Sequence, residues 1–152
     1  MADPVKRYQG KGVEVTFDGR RCLHAARCLS GLPDVFDAKR RPWILPDRAP
    51  AEQVAEVVRR CPSGALHYDL VDGDPEAPTT PTQVSAREGE PLWLRGDLRI
   101  DTDEGPVSET RAALCRCGAT ANAPFCDGTG DCRGWHERAA ELDGTHSDPT
   151  SK

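Results

Sequence analysis

Residues 13–17, Val-Glu-Val-Thr-Phe, alternate apolar and polar side chains and predict a half-buried strand. Asp18-Gly19 follows as a turn. Val54, Val57, Val58 and Cys61 fall at helical spacing between Pro50 and Pro62, which predicts a helix over 50–61 with a proline near each end. Residues 65–70 predict a closing strand. Further on, Leu92, Leu94, Leu98 and Ile100 hold alternate positions, with Trp93, Arg95, Asp97 and Arg99 between them, the clearest strand pattern in the chain. Turn residues over 101–106 then predict a return strand at 107–114. Between the two patterned regions, 71–82 carries Pro75, Pro78 and Pro81 among Thr, Asp and Gly, the composition of a linker. It predicts two halves that load their chemistry independently. Residues 115–135 are rich in Gly, Cys and small side chains without a period, a loop that needs something to organise it. The last dozen residues read as a frayed tail.

Composition explains what could organise it. Leu, Ile, Val and Phe make up only about 17% of the 152 residues, below the ~20% level at which a chain struggles to form an apolar core. Halves of about 70 residues this poor in large apolar side chains need staples, either disulfides or metals. Seven cysteines are available. The N-terminus, Met1-Ala-Asp-Pro-Val-Lys-Arg, lacks the apolar centre of a signal peptide, and no run approaches a membrane span. A cytoplasmic location is therefore expected, where thiols stay reduced and clustered cysteines serve as metal ligands. The odd count also disfavours a closed disulfide framework. A net charge of −5 and a pI near 5.4 give no footprint for nucleic acid and point to a partner with a basic docking face.

The cysteines fall into two groups. In the second half, Cys115-Arg-Cys117 is followed by Cys126 within Pro124-Phe-Cys126-Asp-Gly128-Thr. Two cysteines one residue apart reach one metal only from extended or turning backbone, which fits the end of a strand. Gly118 and Gly128 permit the backbone turns of a wrapping loop. Donors near the sulfurs, Thr120 among them, would tune a cluster's potential. Zinc competes with iron for such a donor set. The run Cys115-x-Cys117-x2-Thr120-x3-Pro124-x-Cys126-Asp127-Gly128-Thr129 resembles the CDGSH iron–sulfur domain, as do Pro91-Leu-Trp-Leu-Arg-Gly-Asp and Thr110-Arg-Ala-Ala-Leu-Cys115 before it. The resemblance implies a [2Fe–2S] cluster on three cysteines and one histidine, contacts from Asp127 and Gly128, and a homodimer. The family's histidine should follow Thr129, where this chain has Gly130. Cys132 and His136 are within reach as the fourth ligand, and Cys132 is the nearer of the two and otherwise an unexplained thiol.

In the first half, Cys22-Leu-His24-Ala-Ala-Arg-Cys28 precedes Cys61-Pro62-Ser-Gly-Ala. Bacterial ferredoxins space cysteines as C-x2-C-x2-C and add a distant Cys-Pro; removing the middle cysteine leaves this C-x5-C, with Ala25 in the vacant place. The segment resembles the mono-cluster ferredoxins, and more closely a divergent group with histidine third in the motif. Leu32-Pro-Asp-Val-Phe36-Asp, Arg41-Pro-Trp43-Ile-Leu-Pro and Cys61-Pro-Ser-Gly-Ala-Leu66 carry the likeness, which spans about residues 12–70. Three cysteines suit a [3Fe–4S] cluster; coordination by His24 would allow [4Fe–4S]. His67, His146 and the three tryptophans read as ordinary packing or surface residues.

The expected fold class is α+β: a small ferredoxin-like half over 1–70, a linker over 71–82, a β-rich CDGSH-type half with little helix over 83–138, and a tail over 139–152. The expected function is non-enzymatic electron transfer through two clusters, with a reductase or oxygenase as redox partner. No nucleophile elbow, phosphate loop or dinucleotide fingerprint is present. A redox sensor or cluster donor to an apo-acceptor, and a zinc-stabilised interaction module, are the alternatives.

Overall fold

In the computed structural model, which describes residues 5–129, β2 (Val13–Asp18) realises the first alternation by burying Val13 and Val15. It is the middle strand of an antiparallel sheet ordered β1-β2-β3. β1 (Val5–Gln9) places Val5 opposite Asp18 and Gln9 opposite Glu14, and β3 (Leu66–Leu70) places Leu66 opposite Phe17 and Leu70 opposite Val13. A nine-residue helix, α2 (Ala51–Arg59), lays Val54, Ala55, Val57 and Val58 against this sheet. Val35, Phe36 and Ile44 close the core, and Trp43 meets Phe17 edge-on at 5.0 Å. Burying each such side chain contributes roughly 1.5–3 kcal/mol, which lets so small a sheet hold its shape.

The second half is another antiparallel sheet, β4-β5-β6. β5 (Leu92–Thr102) and β6 (Gly105–Leu114) form a long hairpin, and the three-residue β4 (Gln83–Ser85) pairs with the start of β5. Leu98, Ile100, Ala112 and Phe125 are its buried core. The chain is thus an α+β, strand-rich fold with little helix.

Several details differ from the sequence expectation. The alternation of β5 is interrupted: between Arg95 and Leu98 one extra residue shifts the register, a bulge that bends the strand. The expected helix over 50–61 ends at Arg59, so Cys61 lies beyond it in a turn closed by its own N–H on the Val58 carbonyl. β1, β4 and the five-residue helix α1 (Arg27–Gly31) carry no clear pattern, because the two strands are mostly exposed edges and α1 buries no side chain.

Buried contacts join the halves across the proline-rich segment. Arg111 of β6, with a side chain 1% exposed, reaches into the first half. Its Nη1 donates to the carbonyls of Val58 (3.1 Å) and Cys61 (2.7 Å), and its Nη2 to that of Leu66 (2.9 Å). Its Nε and Nη2 also clamp both carboxylate oxygens of Glu76, a residue of the 71–82 segment, at 2.9 and 2.8 Å. Arg21 reaches the other way, donating to Glu109 Oε1 (2.6 Å), the Ser63 carbonyl (2.8 Å) and the Arg111 carbonyl (3.2 Å). His67 stands between them, with Nε2 3.0 Å from Glu109 Oε2 and Nδ1 3.3 Å from Arg111 Nη2. Burial pushes the Glu76 and Glu109 carboxyls up, but their partners outweigh it: Arg111 at Glu76, and His67 and Arg21 at Glu109 hold both below the usual carboxylate value. Composition cannot show this, since these charges look like ordinary surface residues until their partners from the other half are known.

Gly64 marks the closest approach. Its φ is +76°, and a Cβ there would collide with the Arg111 carbonyl and the Arg21 guanidinium. Only glycine combines that backbone conformation with that proximity.

Candidate metal centre

Cys22, His24, Cys28 and Cys61, nearly 40 residues apart at the extremes, line one cavity together with Leu23, Ala25, Trp43, Ser63 and others. The loop over 22–28 curls because His24 and Ala26 both adopt left-handed φ, 58° and 62°. Residues in that region turn successive N–H groups toward a common point, a concavity suited to negative charge. The His24 N–H is directed at the Cys22 sulfur, and the Leu29 N–H at that of Cys28. Cys61 and Pro62 line the same cavity. Ser63 Oγ stands 3.7 Å from the Cys61 sulfur while accepting the Ala65 N–H, a contact the sequence reading did not single out.

Burial, then the neighbouring Cys61 and Cys22, push the Cys28 thiol up to about 12; burial chiefly raises Cys22 also. Ionising Cys22 and Cys28 requires a cationic centre beside them. Among the described residues, however, no three His, Cys, Asp or Glu side chains gather around a single-ion position. A lone zinc needs each thiolate about 2.3 Å from one point, whereas a multi-iron cluster takes each thiolate at a different corner. Three cysteines lining one cavity are a donor set that a cluster can use.

The second group sits where β6 ends. The Cys115 N–H donates to the Pro124 carbonyl and the Cys126 N–H to the Ala113 carbonyl, both at 2.8 Å, so the loop folds back on the strand. Cys115 and Cys117 place their sulfurs 3.8 Å apart. Cys117 is exposed and Cys126 buried. Two glycine N–H groups point at sulfur: Gly118 at Cys115 (3.2 Å) and Gly128 at Cys126 (3.4 Å), each glycine at φ +81°. Thr120 does not face a sulfur; it donates to the Phe125 carbonyl at 2.6 Å and accepts from Asn122 N–H, so its hydroxyl braces the loop. Asp127 accepts from the Thr129 hydroxyl and N–H and from the Ala121 N–H. The Thr129 hydroxyl, then the Ala121 N–H, hold its carboxyl below the usual value. Cys132 and His136, the two choices for a fourth ligand, lie outside the described residues.

Comparison with known proteins agrees with this division. Residues 8–70 match the family model described as divergent 4Fe-4S mono-cluster, and residues 89–129 that described as iron-binding zinc finger CDGSH type. Two relatives, both described as uncharacterized protein YjdI, come from Escherichia coli strain K12 and Escherichia coli O157:H7. Each is 41% identical over 61 residues, which is 40% of this chain and 80% of the relative. No solved structure matches. No helix among the described residues is long and apolar enough to cross a membrane. The chain belongs to the family of divergent 4Fe–4S mono-cluster proteins and is an iron–sulfur protein that carries a CDGSH-type iron-binding domain behind it.

Proposed function

We propose that the protein is a non-enzymatic electron carrier holding two clusters, one in a ferredoxin-like domain over 1–70 and one in a CDGSH-type domain over 83–138. Cys22, Cys28 and Cys61 hold a [3Fe–4S] or [4Fe–4S] cluster, the latter if His24 supplies the fourth ligand. Cys115, Cys117, Cys126 and Cys132 hold a [2Fe–2S] cluster. When bound, such clusters accept and release single electrons without moving atoms. The chain's own groups provide thiolates, direct N–H donors at sulfur and exclude water from the inner faces. The observation that carries this reading is the cavity lined by three cysteines from distant parts of the chain, within the segment that matches the divergent 4Fe-4S mono-cluster model. That match supports a cluster over a zinc-stabilised module.

The natural partner is a redox protein with a basic face in the cytoplasm, complementary to the net charge of −5. The test compares reduction of the holo-protein by a ferredoxin reductase with loss of its clusters to an apo-acceptor. Fast reversible reduction with iron retained is expected. Stoichiometric transfer of iron and sulfide would instead favour the donor reading, for which the exposed Cys117 is the supporting observation.

A second expectation concerns separate loading. Cys61→Ser removes a thiolate but keeps the carbonyl that accepts from Arg111. The junction between the halves is thereby preserved. The variant is expected to lose the first centre's visible band and EPR signal and to keep the second's. Iron and acid-labile sulfide assays beside the spectra check it, and loss of both centres would count against two separately held clusters.

A further inference from the structure

The two cysteine groups, far apart in sequence, share a wall. Leu23 follows Cys22 directly and lines the first cavity. It is 2% exposed and shares a small buried cluster with Ala113 and Cys126, the latter itself buried at 3%. Ala25 and Trp93 close around this cluster. One residue earlier, the Arg21 guanidinium stacks over the Phe125 ring at 4.2 Å. Arg21-Cys22-Leu23 of the first site is therefore laid along Phe125-Cys126 of the second. The hydrogen bonds of Arg21 and Arg111 fix this alignment from both sides.

We propose that electrons pass within the chain from one centre to the other across the buried cluster of Leu23, Ala113 and Cys126. The inference rests on the reading that both sites hold clusters. Electron tunnelling weakens exponentially with distance and is best supported by covalent bonds and close van der Waals contact. Here the path is the Cys22 backbone, the Leu23 side chain, and the packed cluster that also holds Ala113 and Cys126 of the other site. Apolar side chains in a packed interior, closed to water, also keep the charge of their surroundings from rearranging when an electron moves. In the step, one cluster is oxidised by one electron and the other reduced by one; no bond forms or breaks and no proton is required. The electron enters from a one-electron donor protein and leaves to an acceptor of the same class. An interface built only for stability would need apolar burial, but not between residues next to or part of both cysteine sets.

The test uses the full holo-chain, with iron and acid-labile sulfide measured on the same sample. Photoreduced flavin, a one-electron donor, is supplied below stoichiometry, and the visible bands of the two centres are followed in time. The expected result is bleaching that moves from one centre's band to the other's, at a rate unchanged when protein concentration is doubled. A Leu23→Gly variant that retains both centres should slow this phase. An electron that stays where it entered, or a transfer rate that doubles with protein concentration, overturns the path while leaving two clusters in place. A chain found to hold only one cluster overturns both the path and the reading beneath it.

Discussion

Removing iron from the protein with a chelator is expected to unfold much of the chain. The cysteine loops carry little apolar surface of their own: the described part of the second loop buries only Phe125 and Cys126. Around an empty first site, Cys28 stays a neutral thiol with its pKa near 12, because burial and two neighbouring thiols oppose its ionisation. Iron reverses that balance by placing positive charge among the sulfurs, and its affinity is then folding free energy. The first sheet with α2 has a core, but in a half of only about 65 residues, a size at which burial is marginal. The second sheet's small core depends on Phe125, which the loop itself supplies. Calorimetry or far-UV circular dichroism, run beside iron determination, reads the outcome. An apo-chain that melts at the same temperature with the same amplitude would show the centres to be passengers on an already stable fold.

Replacing Arg111 with methionine is expected to cost about 3–5 kcal/mol, the usual effect of removing one member of a buried ion pair. Glu76, only 11% exposed at its side chain, would be left with the Thr110 hydroxyl as its remaining described hydrogen bond. The carbonyls of Val58, Cys61 and Leu66 would each lose the Arg111 donor. Against a total stability of about 5–15 kcal/mol for a typical domain, that is a large share. Urea unfolding of the iron-loaded protein measures it, and adding Glu76→Met should restore part of the loss by removing the stranded charge. A cost below about 1 kcal/mol would mean that the pair behaves as a solvated surface bridge. The visible band of the first centre should shift as well, because Arg111 holds the carbonyl of Cys61.

What was legible in the sequence follows the range of the physics. β2, α2, β3 and the β5–β6 hairpin rest on short periods of apolar residues, which a few consecutive positions reveal. The two cysteine groups were legible because their loop spacings are local, and the long step to Cys61 was flagged by the proline after it. β1 and β4 were not, since edge strands are held by a partner's backbone rather than by their own pattern. Thr120 was expected near sulfur, but a carbonyl five residues away takes its proton. The junction of the halves was hidden altogether. Arg21 and Glu109 are 88 positions apart, and a buried guanidinium is spelled like an exposed one.

Gly64 carries that junction into the history such a chain can have. A bare Cα, seated under the Arg111 carbonyl, makes the end of the first half a socket cut to the second half's shape. Exchanging either half for a relative that folds equally well alone would leave the socket unfilled or obstructed. It would also strand Arg21 or Glu109 without a counter-charge. The two parts can therefore vary freely on their outer surfaces, but at this seam they must change together or not at all.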